Sequence, residues 1–175
     1  FGIKTAKNTD SEALYATMAV TANGLTSDDM MNLYFSYGGD DELGGAAGLL
    51  LNKKDLKTIG DFRGTNEKKR LFKITPDMAN PNTGIIEDGG YIIPYTLSSA
   101  LTAVTNTSAS ATAAIQTMLY GNPLAYELGL FGPYTIRVDE SVKAVERELT
   151  ILGDVMVGGN LVVDNSYVIA TIAKT

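Results

Sequence analysis

The strongest constraint on the fold is a stretch near the C-terminus, residues 149–159, in which apolar side chains alternate. The alternate positions from 149 to 157 carry apolar residues, and only Gly153 interrupts the series Leu149, Ile151, Val155 and Val157. A period of two is typical of a strand that places one face on a core. We therefore predict a long strand with alternate side chains buried, and we expect Ile151→Asp to prevent soluble folding.

The segments on either side of this stretch extend the predicted β-structure. Residues 134–139 and 168–172 are also rich in alternating apolar side chains. Gly158 and Gly159 are interpreted as the end of the strand, because neither a P-loop lysine nor a strand–glycine–helix context accompanies them. Residues 134–175 are thus predicted to be β-rich, and nothing in them suggests chemistry.

Two helices are predicted in the first third of the chain. Residues 12–22 have the composition of a helix that Asn23 and Gly24 end. Thr26 is a good N-cap for a second helix, and Leu25 and Met30 flank it as a hydrophobic staple. The stripe expected to face the core consists of Met30, Leu33, Tyr34 and Tyr37.

The middle of the chain mixes short strands with loops. The apolar run at residues 47–51 predicts a strand buried on both faces, and Asn52 caps a helix over residues 53–59. Residues 75–90 are rich in Pro, Asn and Gly and predict a surface loop. Pro94 marks the strand over residues 91–95 as an edge strand or as the end of a strand. The conformation of 98–117 is left open, and an apolar strand broken by a Gly-Asn-Pro turn is predicted over residues 118–126.

This mixture lacks a regular strand–helix alternation, so the predicted fold class is α+β. The chain has no Cys and no His, which excludes disulfides, thiolate metal sites and the usual general base. Its net charge of −6 argues against a nucleic-acid-binding protein. No run approaches the roughly 20 apolar residues of a membrane span. We expect no enzyme, no cofactor, no metal and no membrane partner.

The charged groups favour surface or interface roles over catalysis. The acidic loop at residues 40–42 could bind a hard cation, but its spacing does not match a calcium loop. The run at residues 67–70 is more typical of a solvated face or an intersubunit contact than of a phosphate site. We name as candidate subunit-interface residues Asp40, Asp41, Glu42, Arg63, Lys68, Lys69, Arg70, Glu146 and Arg147.

The order of the segments resembles a known family. A capped helix, Thr26-Ser27-Asp28-Asp29-Met30, precedes a strand–helix unit, Gly48-Leu49-Leu50-Leu51-Asn52-Lys53-Lys54-Asp55. A strand with a later proline follows, Tyr120-Gly121-Asn122-Pro123-Leu124. Over residues 25–172 this order is similar to the C-terminal part of tailed-bacteriophage major capsid proteins of the Hong Kong 97 type. Residues 75–117 depart from it, because they are longer and blander than the family usually shows.

The resemblance implies a structural protein with a compact axial domain and part of a β-rich peripheral domain. Residues 1–24 would be an entering segment and 25–133 the axial-type domain with a loop insertion at about 75–117. Residues 134–175 would link the two domains. The family's arm, extended loop and most of its spine helix would precede Phe1, so the chain would be a truncated or proteolysed subunit. We expect such a chain to be a monomer or weak oligomer in solution.

The implied partners are other copies of the chain, in pentamers and hexamers of an icosahedral shell. Packaged DNA would be contacted only non-specifically, and scaffold, protease or decoration proteins are further implied partners. The location would be the virion, assembled in the bacterial cytoplasm. Three alternatives stay open: an encapsulin-like nanocompartment shell protein, a carboxylate-based cation-binding or enzyme domain, and a tail or decoration subunit.

Overall fold

The structure is a computed structural model that describes residues 16–20, 24–38, 47–104, 115–139 and 150–172. The two α-helices of these residues are α1 (Ser27–Phe35) and α2 (Lys53–Asp61), and a short 3₁₀ helix covers Pro123–Ala125. The strands are β1 (Ala16–Val20), β2 (Gly48–Leu51), β3 (Lys73–Pro76), β4 (Thr83–Asp88), β5 (Tyr91–Leu97), β6 (Ile115–Gly121), β7 (Tyr126–Leu130), β8 (Thr135–Asp139), β9 (Thr150–Asp154), β10 (Val157–Leu161) and β11 (Tyr167–Ile172).

Seven of these strands form one mixed sheet in the order β1-β11-β6-β2-β5-β4-β3. The β1–β11 and β2–β5 pairs are parallel, and the other neighbours are antiparallel. Together with α1 and α2, this sheet is called the body below. A large mixed sheet with two helices confirms the predicted α+β class.

The central strands of the body are buried on both faces. On one face, side chains of β2, β6 and β11 pack with α1 and α2 in the larger core cluster. On the other face, Leu50, Leu119 and Ile169 belong to a second cluster with Leu101 and Leu161. Period-two alternation therefore sends neighbouring residues into two different cores. This is why the run at residues 47–51 is continuously apolar, as predicted.

Helix α1 begins as its sequence predicts. The Asp29 carboxylate accepts a hydrogen bond from the Thr26 backbone N–H at 2.7 Å, which closes a capping box. Leu25 and Met30 are both buried, as a hydrophobic staple requires. The helix thus presents Met30 and Leu33 to the larger core cluster.

Helix α2 is held at its start by two side chains. Asn52 accepts a bond from the Lys54 N–H at 3.0 Å and donates to the Leu101 carbonyl at 2.8 Å. One turn later, both carboxylate oxygens of fully buried Asp55 accept from the Val104 N–H, at 3.0 and 3.1 Å. These bonds tie the segment after β5 to α2 across 49 positions of sequence.

Three local predictions are wrong. Residues 16–20 form strand β1 and not a helix, because pairing with β11 outweighs a weak helical propensity. The predicted loop over residues 75–90 contains β4, which pairs with β3 and β5. Pro94 lies in an interior strand, where it is tolerated because pairing of β5 with β2 begins only at Tyr95.

The remaining strands make a two-stranded ribbon, defined here as residues 126–139 and 150–161. It is built from β7 paired with β10, followed by β8 paired with β9. Between the two pairs, the Phe131 N–H donates to the Met156 carbonyl at 2.8 Å. β7 and β8 have five residues each, and each therefore extends over about 16 Å at the usual strand rise.

The opening alternation lies in this ribbon and not in the core. Ile151 is 70% exposed, and Val155 and Val157 are about half exposed. The prediction of a buried face at residues 149–159 is therefore wrong for the chain by itself, and the basis for expecting Ile151→Asp to prevent folding is lost. Gly158 and Gly159 lie inside β10 and do not end a strand.

The main sheet contains strands from segments that the predicted domain division had kept apart. β1 comes from residues 1–24 and β11 from residues 134–175, yet both lie in the main sheet. The loop insertion expected at about 75–117 includes strands β4 and β5. Which residues would form axial and peripheral domains stays a prediction.

Candidate assembly surfaces

The distal half of the ribbon has one apolar and one polar face. In the β8–β9 register Val138 lies opposite Ile151, and Ile136 opposite Gly153. Directly paired residues share a face, so these side chains form one apolar stripe. The other face carries Arg137 opposite Leu152 and Thr135 opposite Asp154.

Aromatic rings cover the glycines of the ribbon. A Cβ on Gly158 would lie 2.7 Å from the Phe131 ring, and one on Gly153 would lie 2.8 Å from the Tyr134 hydroxyl. Gly159 lies in the same way beneath Tyr126. Rings packed over glycines stabilise strands whose other side chains are exposed. The glycines therefore leave the space in which these aromatic rings pack against the strands.

The apolar stripe of β8–β9 is open to solvent. Ile136, Val138 and Ile151 are each more than half exposed, and so is Tyr134 beside them. The base of the ribbon differs, because Leu161 is buried in the second core cluster. A two-stranded hairpin is at best marginally stable in water, and contiguous exposed apolar surface marks interaction sites. The ribbon has the properties of a surface that another molecule covers.

A second surface is defined by charge. Residues 53–73, called the basic stretch, hold eight basic and three acidic side chains, a formal charge of +5. The whole chain carries −6, so all other residues together carry −11. The basic side chains are Lys53, Lys54, Lys57, Arg63, Lys68, Lys69, Arg70 and Lys73, all of them exposed.

Part of the basic stretch borders an open groove of about 740 Å³ beside α2. Its charged lining consists of Lys53, Lys54, Lys57, Asp61 and Arg70. Its apolar lining consists of Leu56, Ile74 and Pro76. The groove therefore combines an apolar wall with a cationic border, which suits an apolar ligand surface of negative charge.

One lysine that lines the groove pairs with a carboxylate of the same helix. The Lys57 ammonium lies 2.6 Å from the Asp61 carboxylate, one helical turn away. This hydrogen bond and the Lys57 charge, with weaker contributions from Arg70 and Arg63, hold the pKa of Asp61 below its ordinary value. Both partners are largely exposed, so the pair contributes little to stability.

A third exposed patch is aromatic. The Phe35 ring lies 5.6 Å from that of Tyr91, and Tyr34 lies 5.3 Å from Phe35. Phe35 and Ile92 are both about 60% exposed. The patch lies where α1 ends and β5 begins, and in the β4–β5 register Asp88 lies opposite Tyr91 and Glu87 opposite Ile92.

The structure brings together only some of the candidate interface residues. Arg63 and Arg70 form an isolated antiparallel bridge, and the Arg63 guanidinium donates to the Gly60 and Phe62 carbonyls. Lys68 and Lys69 are exposed in the turn between them. The other five candidates lie outside the described residues: Asp40, Asp41, Glu42, Glu146 and Arg147.

Sequence reasoning missed the lysines of α2. The sequence drew notice to the charged run at residues 67–70, whereas the groove is bordered chiefly by Lys53, Lys54 and Lys57. A local charge count would have found them, since more than half of the chain's 14 basic residues lie in residues 53–73.

The part of the chain that the structure describes has neither an acidic metal cluster nor a membrane-spanning helix. Among its Asp and Glu side chains there is no group of three or more placed to hold a metal ion. None of its helices is long and apolar enough to cross a membrane.

Comparison with known proteins gives a likeness in structure alone. No protein-family model and no curated protein sequence matches the chain. It is similar to the capsid of an empty GTA particle computed with C5 symmetry, at a TM-score of 0.60 and 14% identity, over 98% of this chain and 56% of that one. For the capsid of a native GTA particle, also computed with C5 symmetry, the TM-score is 0.58 at 14% identity, over 91% and 50%.

The chain spans about half the length of the solved chains that it matches. At this level of identity the likeness is one of fold. It confirms the predicted capsid-type fold over nearly the whole chain.

Proposed function

We propose that this chain, which has the fold of a phage-type capsid protein, is a structural subunit of a major capsid protein. In this role many copies would assemble into pentamers and hexamers and close into an icosahedral shell around DNA. The observation that carries the proposal is the fold match over 98% of the chain. Fold alone does not imply function, so the surfaces have to support it independently.

The exposed surfaces are those expected of a subunit that assembles with other copies of itself. The ribbon leaves an apolar stripe uncovered, and the body bears a groove with an apolar wall. Charge is segregated, with +5 in the basic stretch and −11 elsewhere. Contacts between unlike surfaces of identical subunits generate closed rings when the rotation closes. An acidic chain also has little tendency to bind packaged DNA tightly.

The remaining parts of this proposal concern setting and partners. The protein would reside in the virion after assembly in the bacterial cytoplasm, and it would carry out no catalysis. Scaffold, protease or decoration proteins would be its other partners. The predicted interface residues keep that role as a proposal, with Arg63, Lys68, Lys69 and Arg70 exposed as an interface requires.

Electron microscopy of the purified chain, concentrated with polyethylene glycol to drive association, tests the function. We expect rings of five or six subunits, curved sheets or closed shells. A chain that stays monomeric at every concentration, or that forms only straight fibres, would contradict the proposal. Shells that enclose a protein cargo in the native particle, with no DNA, would favour a nanocompartment protein instead.

A further inference from the structure

The ribbon bears a hollow of its own, of about 450 Å³, on one face of the β7–β10 pair. The polar side chains that line this ribbon hollow are Glu127 and Asn160, which lie opposite one another in the register. Two residues further along the same face, Gly129 lies opposite Gly158. The Phe131 ring lies over this glycine pair, because a Cβ on Gly129 would be 3.2 Å from it. The ribbon hollow therefore places an aromatic ring next to a carboxylate.

Both of these groups are open to a ligand. The Phe131 ring is 64% exposed, and Glu127 is exposed as well. No ion pair of the residues that the structure describes includes the Glu127 carboxylate. Positions two residues apart along a strand are about 7 Å apart, so a cation placed between them is within reach of both the carboxylate and the ring.

The lining of the ribbon hollow favours a cation over other ligands. An anion would be repelled by Glu127, and an apolar group would bury that carboxylate without a partner. A neutral polar ligand such as a sugar needs several donors and acceptors, whereas the polar lining consists of Glu127 and Asn160, and Asn160 already has an interaction of its own. An ammonium group pairs with the carboxylate and is attracted to the face of the ring.

The chain carries cations of the matching kind on residues 64–69, called the basic loop below. The antiparallel bridge between Arg63 and Arg70 holds the two ends of this loop together. All but the first of its residues are exposed, so the loop projects from the body. Lys68 and Lys69 lie in it, and neither takes part in an ion pair with another described residue.

We propose that the ribbon hollow of one copy receives Lys68 or Lys69 from the basic loop of another copy. The ammonium group lies between the Glu127 carboxylate and the Phe131 ring. A projecting loop with cations thus meets a concave site with a carboxylate, and this match of charge and shape favours a second copy as the partner. The inference rests on the proposed function, because a contact between unlike surfaces is what joins copies into a ring.

Disulfide trapping tests the contact directly, because the chain has no cysteine of its own. Two single-cysteine proteins are mixed, Thr65→Cys in the basic loop and Val162→Cys in the lining of the hollow, and one carries a tag that changes its mobility on a denaturing gel. Both variants keep the proposed lysines, carboxylate and ring. Under mild oxidation we expect mixed dimers.

The matched control mixes Thr65→Cys with Leu128→Cys. Leu128 and Val162 are both more than half exposed, but the Leu128 side chain lies on the opposite face of the ribbon from Glu127. This pair should form mixed dimers about tenfold more slowly, because its thiols are not held together. Equal rates for the two mixtures, or no mixed dimer in either, would overturn the docking.

Charge reversal gives an independent readout by sedimentation velocity. Glu127→Lys should weaken self-association about tenfold or more, and so should Lys68→Glu with Lys69→Glu. Asp28→Lys, which makes the same change of net charge as Glu127→Lys at an exposed site in α1, should weaken it less than about threefold. Combining Glu127→Lys with both loop changes should restore association to within about threefold of the unmodified chain. A combination that associates no better than its parent variants would contradict the proposal.

The outcomes separate this inference from the proposed function. Shells that form from Glu127→Lys as readily as from the unmodified chain would leave the capsid function standing and reject the docking. Mixed dimers without rings or shells at any concentration would support the docking and reject the function. If Glu127→Lys associates normally but no longer binds spermidine, which the unmodified chain does bind, the hollow is a site for free ammonium ligands and the proposal is wrong.

Discussion

The body and the ribbon contain similar side chains in opposite environments. Ile169 of β11 is fully buried between two layers, whereas Ile151 of β9 is 70% exposed. β11 is buried on both of its faces, whereas β9 places its apolar Ile151 on an exposed face. The body buries its apolar side chains within one chain, whereas the ribbon leaves its apolar side chains exposed for another molecule to cover. The alternation of a strand therefore indicates a face to be covered and does not say which molecule covers it.

This contrast gives the protein two kinds of stability. The body should fold cooperatively by itself, because α1, α2 and the second core cluster cover its sheet. The ribbon is fixed to the body at its base by Leu161, and none of the described residues of β8 and β9 belongs to either core cluster. Its distal half should gain most of its stability on association, since local stability follows the number of buried apolar contacts.

The largest expected difference comes from shortening one isoleucine in each region. Ile169→Ala should lower the free energy of unfolding by about 2–5 kcal/mol, because it removes fully buried methyl groups and leaves a cavity. Ile151→Ala should lower it by less than about 1 kcal/mol in the dilute chain. Urea unfolding followed by circular dichroism measures both values. Similar losses in the two variants would show that the ribbon folds as part of the body.

Substitution of one glycine in each region compares how tightly the body and the ribbon are packed. A Cβ on Gly121 would lie 2.5 Å from the Ser166 carbonyl oxygen, and backbone there cannot move aside cheaply. Gly121→Ala should therefore cost about 1–3 kcal/mol. On Gly158 the Cβ would meet the ring of Phe131, which is exposed and can rotate away. Gly158→Ala should cost less than about 1 kcal/mol, and a larger loss than for Gly121→Ala would contradict the account.

Asp55 tests whether the body depends on its own internal polar bonds. Asp55→Ala removes the acceptor that the Val104 N–H contacts at 3.0 Å and should cost about 1–3 kcal/mol. Asp28→Ala is the control, because Asp28 lies on the surface in the first turn of α1. Thermal unfolding of both variants provides the measurement. No difference between them would mean that the segment after β5 is not held by α2.

The smallest effect concerns the surface of the groove. The folded-state pKa of Asp61 is depressed, so its contribution to stability is present above the unfolded pKa and is lost as pH falls through the folded pKa. Because the pair is exposed, the effect on unfolding should be hard to detect. A carboxyl NMR titration should instead show a higher pKa for Asp61 in Lys57→Met than in the unmodified chain. An unchanged pKa would remove Lys57 as the cause.

Much of the body could be predicted from the sequence because its signals are local. The cap at Thr26, the cap at Asn52 and the apolar run at residues 47–51 each depend on neighbours in sequence, and all three are confirmed. The capsid-type fold followed from the order of such segments. The loop predicted over residues 75–90 failed because the pairing of β4 with β3 and β5 outweighs its turn-forming residues.

The surfaces could be predicted only in part. Alternation at residues 149–159 correctly indicated strands, but sequence does not state whether a layer covers them. The groove joins α2 to Arg70 and Ile74, which only the fold brings together. Conversely, the excess of basic residues in 53–73 was visible in the sequence and would have pointed to α2 as part of a charged surface.

Amide hydrogen exchange measured by mass spectrometry on dilute and on associated protein tests the central claim most directly. The account predicts that β6 and β11 exchange slowly in both states, whereas β8 and β9 exchange fast when dilute and become protected about a hundredfold or more on association. Protection of β8 and β9 equal to that of β6 in the dilute chain, or no change on association, would contradict it.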